Sequence, residues 1–213
     1  MSTTIKNRSK LLKLTQVSVL TAIIIIMAFT PLGYLRTGTI VITFLAIPVV
    51  IGAMVCGPAC GAILGGVFGI TSFIQCFGLD PFGTFLFGLN PVYTFITCLI
   101  PRILMGWFAG MIFKSLYKHD KTKLISFGIA SLSGALLNTI MFMTCLIMFF
   151  WKNSSFIEAM KNAEFPVNSI LAFVVAFVLL NCLVEAGVCL ITGTLISKAL
   201  VHFIPVEKAG QTA

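Results

Sequence analysis

Ile42–Ser72, ITFLAIPVVIGAMVCGPACGAILGGVFGITS, is the stretch whose reading decides the fold. It consists of two apolar runs joined by Cys56-Gly57-Pro58-Ala59, and the second run carries Gly57, Gly61, Gly65 and Gly69 at every fourth position. Residues four apart share one face of a helix, so this face is bare of side chains. In lipid, helices associate largely through close van der Waals packing, and small residues mark where backbones approach. The stretch therefore reads as a tight helical hairpin inside a membrane bundle, with the four glycines as its packing seam.

The rest of the chain agrees with a membrane setting. Of 213 residues, 59% are hydrophobic and 9% charged, and the mean hydropathy is +1.09. Soluble domains carry about 25% charged residues. Several runs approach the ~20 apolar residues that cross a bilayer as a helix. They are continuous rather than alternating, which favours helices over a β-barrel. The expected architecture is an all-α integral membrane protein: a single domain, 1–213, of six transmembrane helices. They fall at about 11–30, 40–56, 58–75, 92–117, 124–151 and 167–201. Pro48 is expected to kink the second helix, Gly57-Pro58 to make the turn, and Pro58 to begin the third helix. Residues 31–39, 76–91 and 152–166 read as loops, rich in glycine, proline or polar residues. The basic N-terminus followed by 14–29 looks like a signal peptide, but TPLGY rather than a small-residue cleavage site follows, so the expectation is a retained helix.

The net charge of +8 does not form one nucleic-acid-binding patch. Ten of the fourteen Lys and Arg residues lie near the N-terminus, at 114–123 or near the C-terminus. By the positive-inside rule those ends are cytoplasmic, both termini included. The three longest loops then face outward.

Charged and amide residues inside spans are costly, and so are functional candidates. At ~1.5 Å rise per residue, Arg102, Asn138, Asn181, Glu185, Ser72 and Thr43 all fall about 20–25 Å above the inner boundary. They form one polar layer in the outer half, the expected lining of a binding cavity. Gln75, Asn90 and Tyr93, at the outer helix ends, complete the candidate set, and Phe73, Phe77, Phe82 and Phe85 give its mouth apolar walls. Small-molecule sites combine apolar walls with a few placed polar groups. Two structural readings stand beside this one. Arg102 and Glu185 could neutralise each other, since buried charges are normally paired. Asn138 and Asn181 could bridge helices.

Several functions lack their residues. There is no G-x-x-x-x-G-K-[ST] phosphate loop and no H-E-x-x-H. The histidines, His119 and His202, lie at the expected cytoplasmic ends. Cys56 and Cys60 have ligand-like spacing, yet no second pair or nearby histidine completes a metal site. No catalytic residue, metal or cofactor is expected. A binding cavity without an engine needs an energised partner.

Four stretches carry a family resemblance. The run IPVVIGAMVCGPACGAILGGVFGITS resembles the second and third helices of substrate-binding S components of energy-coupling factor (ECF) transporters. Pro101-Arg102-Ile103-Leu104-Met105-Gly106 is similar to the start of that family's fourth helix, Gly134-Ala135-Leu136-Leu137-Asn138-Thr139 to its fifth, and Asn181 with Glu185 to its sixth. The resemblance covers most of 15–200. It implies a multi-pass importer of the bacterial plasma membrane that captures a water-soluble vitamin outside the cell and delivers it inward with a transmembrane coupling subunit and two ATPases. It also implies docking on that subunit through small residues of the first helix, here Ser18 and Ala22, with Ala28 further on. The pantothenate-type branch is the most similar, close to cobalamin and folate members, with riboflavin a further alternative. Arg102 would suit a carboxylate, and Asn138, Asn181 and Ser72 hydroxyls and amides. The alternative of another class is a solitary secondary carrier or channel, since buried charges also mark ion pathways.

Overall fold

The computed structural model describes residues 2–37, 40–120, 124–162 and 187–196. Its elements are helix α1 (Ser2–Phe29), a 3-10 turn (Pro31–Gly33), strands β1 (Tyr34–Thr37) and β2 (Ile40–Thr43), α2 (Ala46–Cys56), α3 (Pro58–Gln75), α4 (Pro81–Leu89), α5 (Pro91–Tyr117), α6 (Leu124–Phe150), α7 (Ser154–Asn162) and α8 (Gly187–Ile196). Four segments are long and apolar enough to cross a membrane: Leu11–Phe29, Pro58–Gln75, Pro91–Tyr117 and Ile125–Phe150. Ala46–Cys56 and Gly187–Ile196 are shorter apolar helices. Most of the helix expected at 167–201 lies outside the described residues.

The structure corrects the expected layout between 31 and 56. Strands β1 and β2 pair antiparallel as a hairpin, with Tyr34 opposite Thr43 and Thr37 opposite Ile40. Ile40-Val41-Ile42-Thr43 is entirely β-branched, and such residues favour a pleated strand over a helix. The second helix therefore begins at Ala46 rather than near 40. That start places Pro48 in the first turn, where the N–H it lacks would have no helical acceptor. The expected kink has no cause there. Two expected loops also contain helices. Asp80 accepts a hydrogen bond from Gly83 N at 2.7 Å and caps α4, with Pro81 in its first turn. Asn153 accepts from Ser155 N at 2.9 Å and starts α7.

Gly57 adopts φ +101° between α2 and α3, a backbone region that L side chains rarely enter. A Cβ there would meet nothing within 4 Å. Gly57 is thus the turn glycine and not part of the seam. The other three glycines of the ladder do form one. A Cβ on Gly61 would lie 2.4 Å from Gly106 O, one on Gly65 2.1 Å from Arg102 O, and one on Gly69 2.9 Å from Leu99 Cα. Partner numbers fall as ladder numbers rise, so α3 and α5 run antiparallel, backbone against backbone.

Two apolar clusters surround this pair. The larger joins α1, α2, α3, α5, α6 and α8 through Ile24, Val49, Phe68, Met105, Phe127 and Cys189. The smaller joins α4, α6 and α7 through Leu86, Met143, Leu146, Phe150, Phe156 and Met160. Large apolar side chains such as Leu14, Ile26, Ile63, Ile70, Trp107 and Met148 lie exposed on the outside. A soluble surface rarely carries so much apolar area, and lipid is the solvent that suits it.

Candidate functional site

One end of the bundle collects the hairpin, the end of α3, the start of α5 and the end of α6. The cluster there is built around Arg102, and Pro101 explains how the arginine is held. Proline has no N–H, so the carbonyl four residues earlier loses its helical donor. That carbonyl belongs to Thr97, and Arg102 Nη1 donates to it at 2.8 Å. Side chains on a helix lean towards its N-terminus, so the guanidinium lies towards the hairpin end from its own Cα. It lies over two aromatic rings, 5.5 Å from the centre of Phe68 on α3 and 4.8 Å from that of Phe142 on α6. Aromatic faces attract a cation and keep water from it.

Three buried polar atoms on α5 and α6 have no hydrogen-bond partner among the described residues: Arg102 Nε, Thr97 Oγ1 and Asn138 Oδ1. Asn138 lies one turn before Phe142 on α6, on the same face. Leaving a buried polar group unsatisfied costs ~1–3 kcal/mol. A guanidinium N–H, a hydroxyl and an amide acceptor left open in this way can hold a ligand that carries both an anionic group and a hydrogen-bond donor.

A second group adjoins the first. The Tyr34 hydroxyl donates to Gln75 Oε1 at 2.7 Å, and Gln75 Nε2 donates to Ala28 O. The Ser72 hydroxyl is within reach of the same phenol, and the Arg102 charge acts on it. Burial raises the Tyr34 pKa above its ordinary value, opposed by the Ser72 hydrogen bond and by Arg102. Thr43 pairs with Tyr34 across the hairpin. Ser72, Gln75 and Arg102, all anticipated from the sequence, thus lie around one region with Thr43 beside it, and Asn138 stands one turn before Phe142, whose ring faces the Arg102 guanidinium.

Other anticipated residues stand elsewhere or in other roles. Asn90 Oδ1 accepts from Val92 N at 3.0 Å and Tyr93 N at 3.2 Å, capping α5. The Tyr93 ring stacks on Phe149 at 4.9 Å. Phe73, Phe77 and Phe87 form their own ring cluster with Phe95. Asn181 and Glu185 lie outside the described residues. On α1, Ser18 and Ala22 are exposed, whereas Ala28 is buried in the core. Ala28 is therefore not part of an exposed small-residue face.

Tyr34, Thr97, Pro101, Phe68 and Phe142 were not anticipated as site residues. Pro101 was legible: a helical proline announces a free carbonyl at 97, and the adjacent arginine is the nearest strong donor. Tyr34 was not, because its place depends on the hairpin.

Comparison with known proteins gives the same direction. The family model described as "ECF transporter, substrate-specific component" matches residues 12–197. The "Pantothenate transporter PanT" of Leuconostoc mesenteroides is 28% identical over 215 aligned positions, covering 96% of this chain and 97% of that protein. The "Pantothenic acid transporter PanT" of Lactococcus lactis is 27% identical over 154 residues, covering 68% of this chain and 76% of that protein. With its apolar spans, its half-buried cationic cluster and a family match over most of its length, this multi-pass plasma membrane chain belongs to the substrate-specific components of ECF transporters.

Proposed function

We propose that this chain captures pantothenate on the outer side of the membrane and delivers it inward with an ECF coupling subunit and two ATPase subunits. Arg102 carries the reading. Its guanidinium lies over the rings of Phe68 and Phe142, with Nε buried and unpartnered among the described residues. A planar guanidinium pairs with a carboxylate through parallel N–H···O bonds. Pantothenate has one carboxylate, an amide and two hydroxyls. Asn138 Oδ1 is an acceptor for an amide N–H or a hydroxyl. Thr97, Ser72 and Gln75 supply further hydroxyl and amide groups, and Asn181 and Glu185 extend the set. The two pantothenate-transporter relatives support this choice over cobalamin, folate or riboflavin.

In this reading the chain crosses the membrane six times, with the α2 region and the 167–201 segment as the second and sixth crossings. Both termini lie in the cytoplasm, where the basic residues gather. The hairpin, α4 and α7 then lie at the outer end. Ser18 and Ala22 provide the small surface on which the coupling subunit packs.

Reconstitution tests the division of labour. Proteoliposomes containing this chain with the coupling subunit and both ATPases accumulate labelled pantothenate only when ATP is supplied to the ATPase side. Liposomes with this chain alone accumulate none, whatever ion gradient is imposed. Gradient-driven uptake by the chain alone would replace this reading with that of a solitary secondary carrier.

A further inference from the structure

We propose that Pro101 is a positioning residue for Arg102: by removing one helical hydrogen bond it creates the carbonyl anchor that aims the guanidinium into the polar cluster. The benefit to a carboxylate ligand rests on the proposed function above; the anchor itself does not.

The argument starts from an oddity of α5, which runs unbroken from Pro91 to Tyr117 with Pro101 inside it. An internal proline removes the N–H that would bond the carbonyl four residues back, and its ring pushes that carbonyl off the helix axis. Thr97 is fully buried, so its carbonyl has no water to turn to. An orphaned buried carbonyl is unfavourable. Arg102, the next residue, resolves this by donating Nη1–H at 2.8 Å. Of the five N–H groups of a guanidinium, this contact uses one. A second constraint comes from the rings of Phe68 and Phe142, over which the group lies. Nε remains buried and unpartnered among the described residues. A guanidinium so held has lost its rotamer freedom before any ligand arrives, and such preorganisation raises affinity by lowering the ordering cost of binding. The seam fixes the same residue from behind, since Gly65 lies directly against the Arg102 carbonyl.

Replacing Pro101 by alanine restores the N–H, draws the Thr97 carbonyl back along the axis and releases Arg102. Two readouts test this on the full chain in detergent. The first needs no ligand: the thermal midpoint is measured for wild type, Arg102→Met, Pro101→Ala and the double variant. Arg102→Met is expected to lower the midpoint by several degrees in the wild-type background, because the Thr97 carbonyl is then orphaned, and by clearly less in the Pro101→Ala background. Equal drops in the two backgrounds overturn the proposal. The second readout is titration with pantothenate and with its analogue in which a primary alcohol replaces the carboxylate. Pro101→Ala is expected to weaken pantothenate about tenfold, the loss of roughly one oriented charge-assisted hydrogen bond, and to leave the alcohol unchanged. Unchanged pantothenate affinity, or equal weakening of both ligands, overturns the positioning role. If Arg102→Ala itself leaves pantothenate binding intact, the carboxylate reading of the site fails, while the thermal cycle still decides the anchor.

Discussion

Two neighbouring glycines give the sharpest test of the seam that holds the site. A methyl group on Gly65 would lie 2.1 Å from Arg102 O and 2.8 Å from Arg102 C. Both are backbone atoms of a packed helix and have no rotamer to change. Restoring an ordinary contact of ~3.4 Å requires α3 and α5 to part by about 1.3 Å. Overpacking of this kind costs ~1–3 kcal/mol, against a gain of ~0.5–1 kcal/mol from alanine over glycine inside a helix. The net loss is about 1 kcal/mol. For a chain of this size, that lowers a thermal midpoint by ~2–4 °C. Gly66 is the control: its Cβ would come no closer than 3.7 Å, to Ile103 Cγ1, so only the helix-propensity gain remains and the midpoint rises slightly. The site responds to the same displacement. Phe68 lies on α3 against a guanidinium carried by α5, so parting the helices pulls one ring from the cation. Gly65→Ala is therefore expected to weaken pantothenate about tenfold, roughly 1.4 kcal/mol, with Gly66→Ala near wild type. Midpoints and ligand titrations of the two purified variants check this. If both behave alike, the seam does not position Arg102 and the reasoning fails.

Other outcomes follow from single contacts. Tyr34→Phe removes the donor to Gln75 Oε1 and is expected to cost ~1 kcal/mol of stability, measured as a lowered thermal midpoint. Burial raises the Tyr34 pKa, so its stabilising contribution is complete below the ordinary tyrosine value near pH 10 and is lost as pH rises through the folded value. The wild type thus loses an increment of stability in the alkaline range that Tyr34→Phe does not. Asn90→Ala removes the cap of α5 and is expected to cost about 1 kcal/mol, whereas Asn90→Asp keeps the acceptor and the stability. Ser18→Trp and Ala22→Trp place a large ring on the exposed face of α1. Both are expected to retain pantothenate binding in titration and to abolish ATP-dependent uptake in the reconstituted complex; full uptake in either would remove that residue from the docking face.

The sequence is most informative where one residue type has one physical use. Gly57-Pro58 reads as a turn because only glycine suits a positive φ and proline suits a helix start. Gly61, Gly65 and Gly69 read as a seam because their spacing puts them on one face. Arg102 and Asn138 stand out because polar groups are costly in a span. Elsewhere apolar composition overrides local signals. Ile40–Thr43 merges with the helix after it because membrane helices and strands share β-branched residues. The α4 segment is hidden by its glycines, although Asp80-Pro81 is a cap followed by a favoured first helical residue. Asn90 reads as a ligand group because an amide at a helix end looks the same in sequence whether it faces a cavity or caps the helix. Tyr34 has no such signal, since its contacts lie far along the chain, at Gln75 and Ser72, and exist only once the hairpin folds onto α3.

Mass spectrometry of the small molecule released from the purified chain tests the central claim most directly. Wild-type protein expressed in pantothenate-containing medium is predicted to release pantothenate in near-equimolar amount, and Arg102→Ala protein, correctly folded by its thermal midpoint, to release little or none. Truncating one partner of a desolvated charge pair costs ~2–5 kcal/mol, enough to empty the site during purification. Release of an uncharged molecule, or equal loading of pantothenate in both proteins, would contradict a carboxylate site built on Arg102.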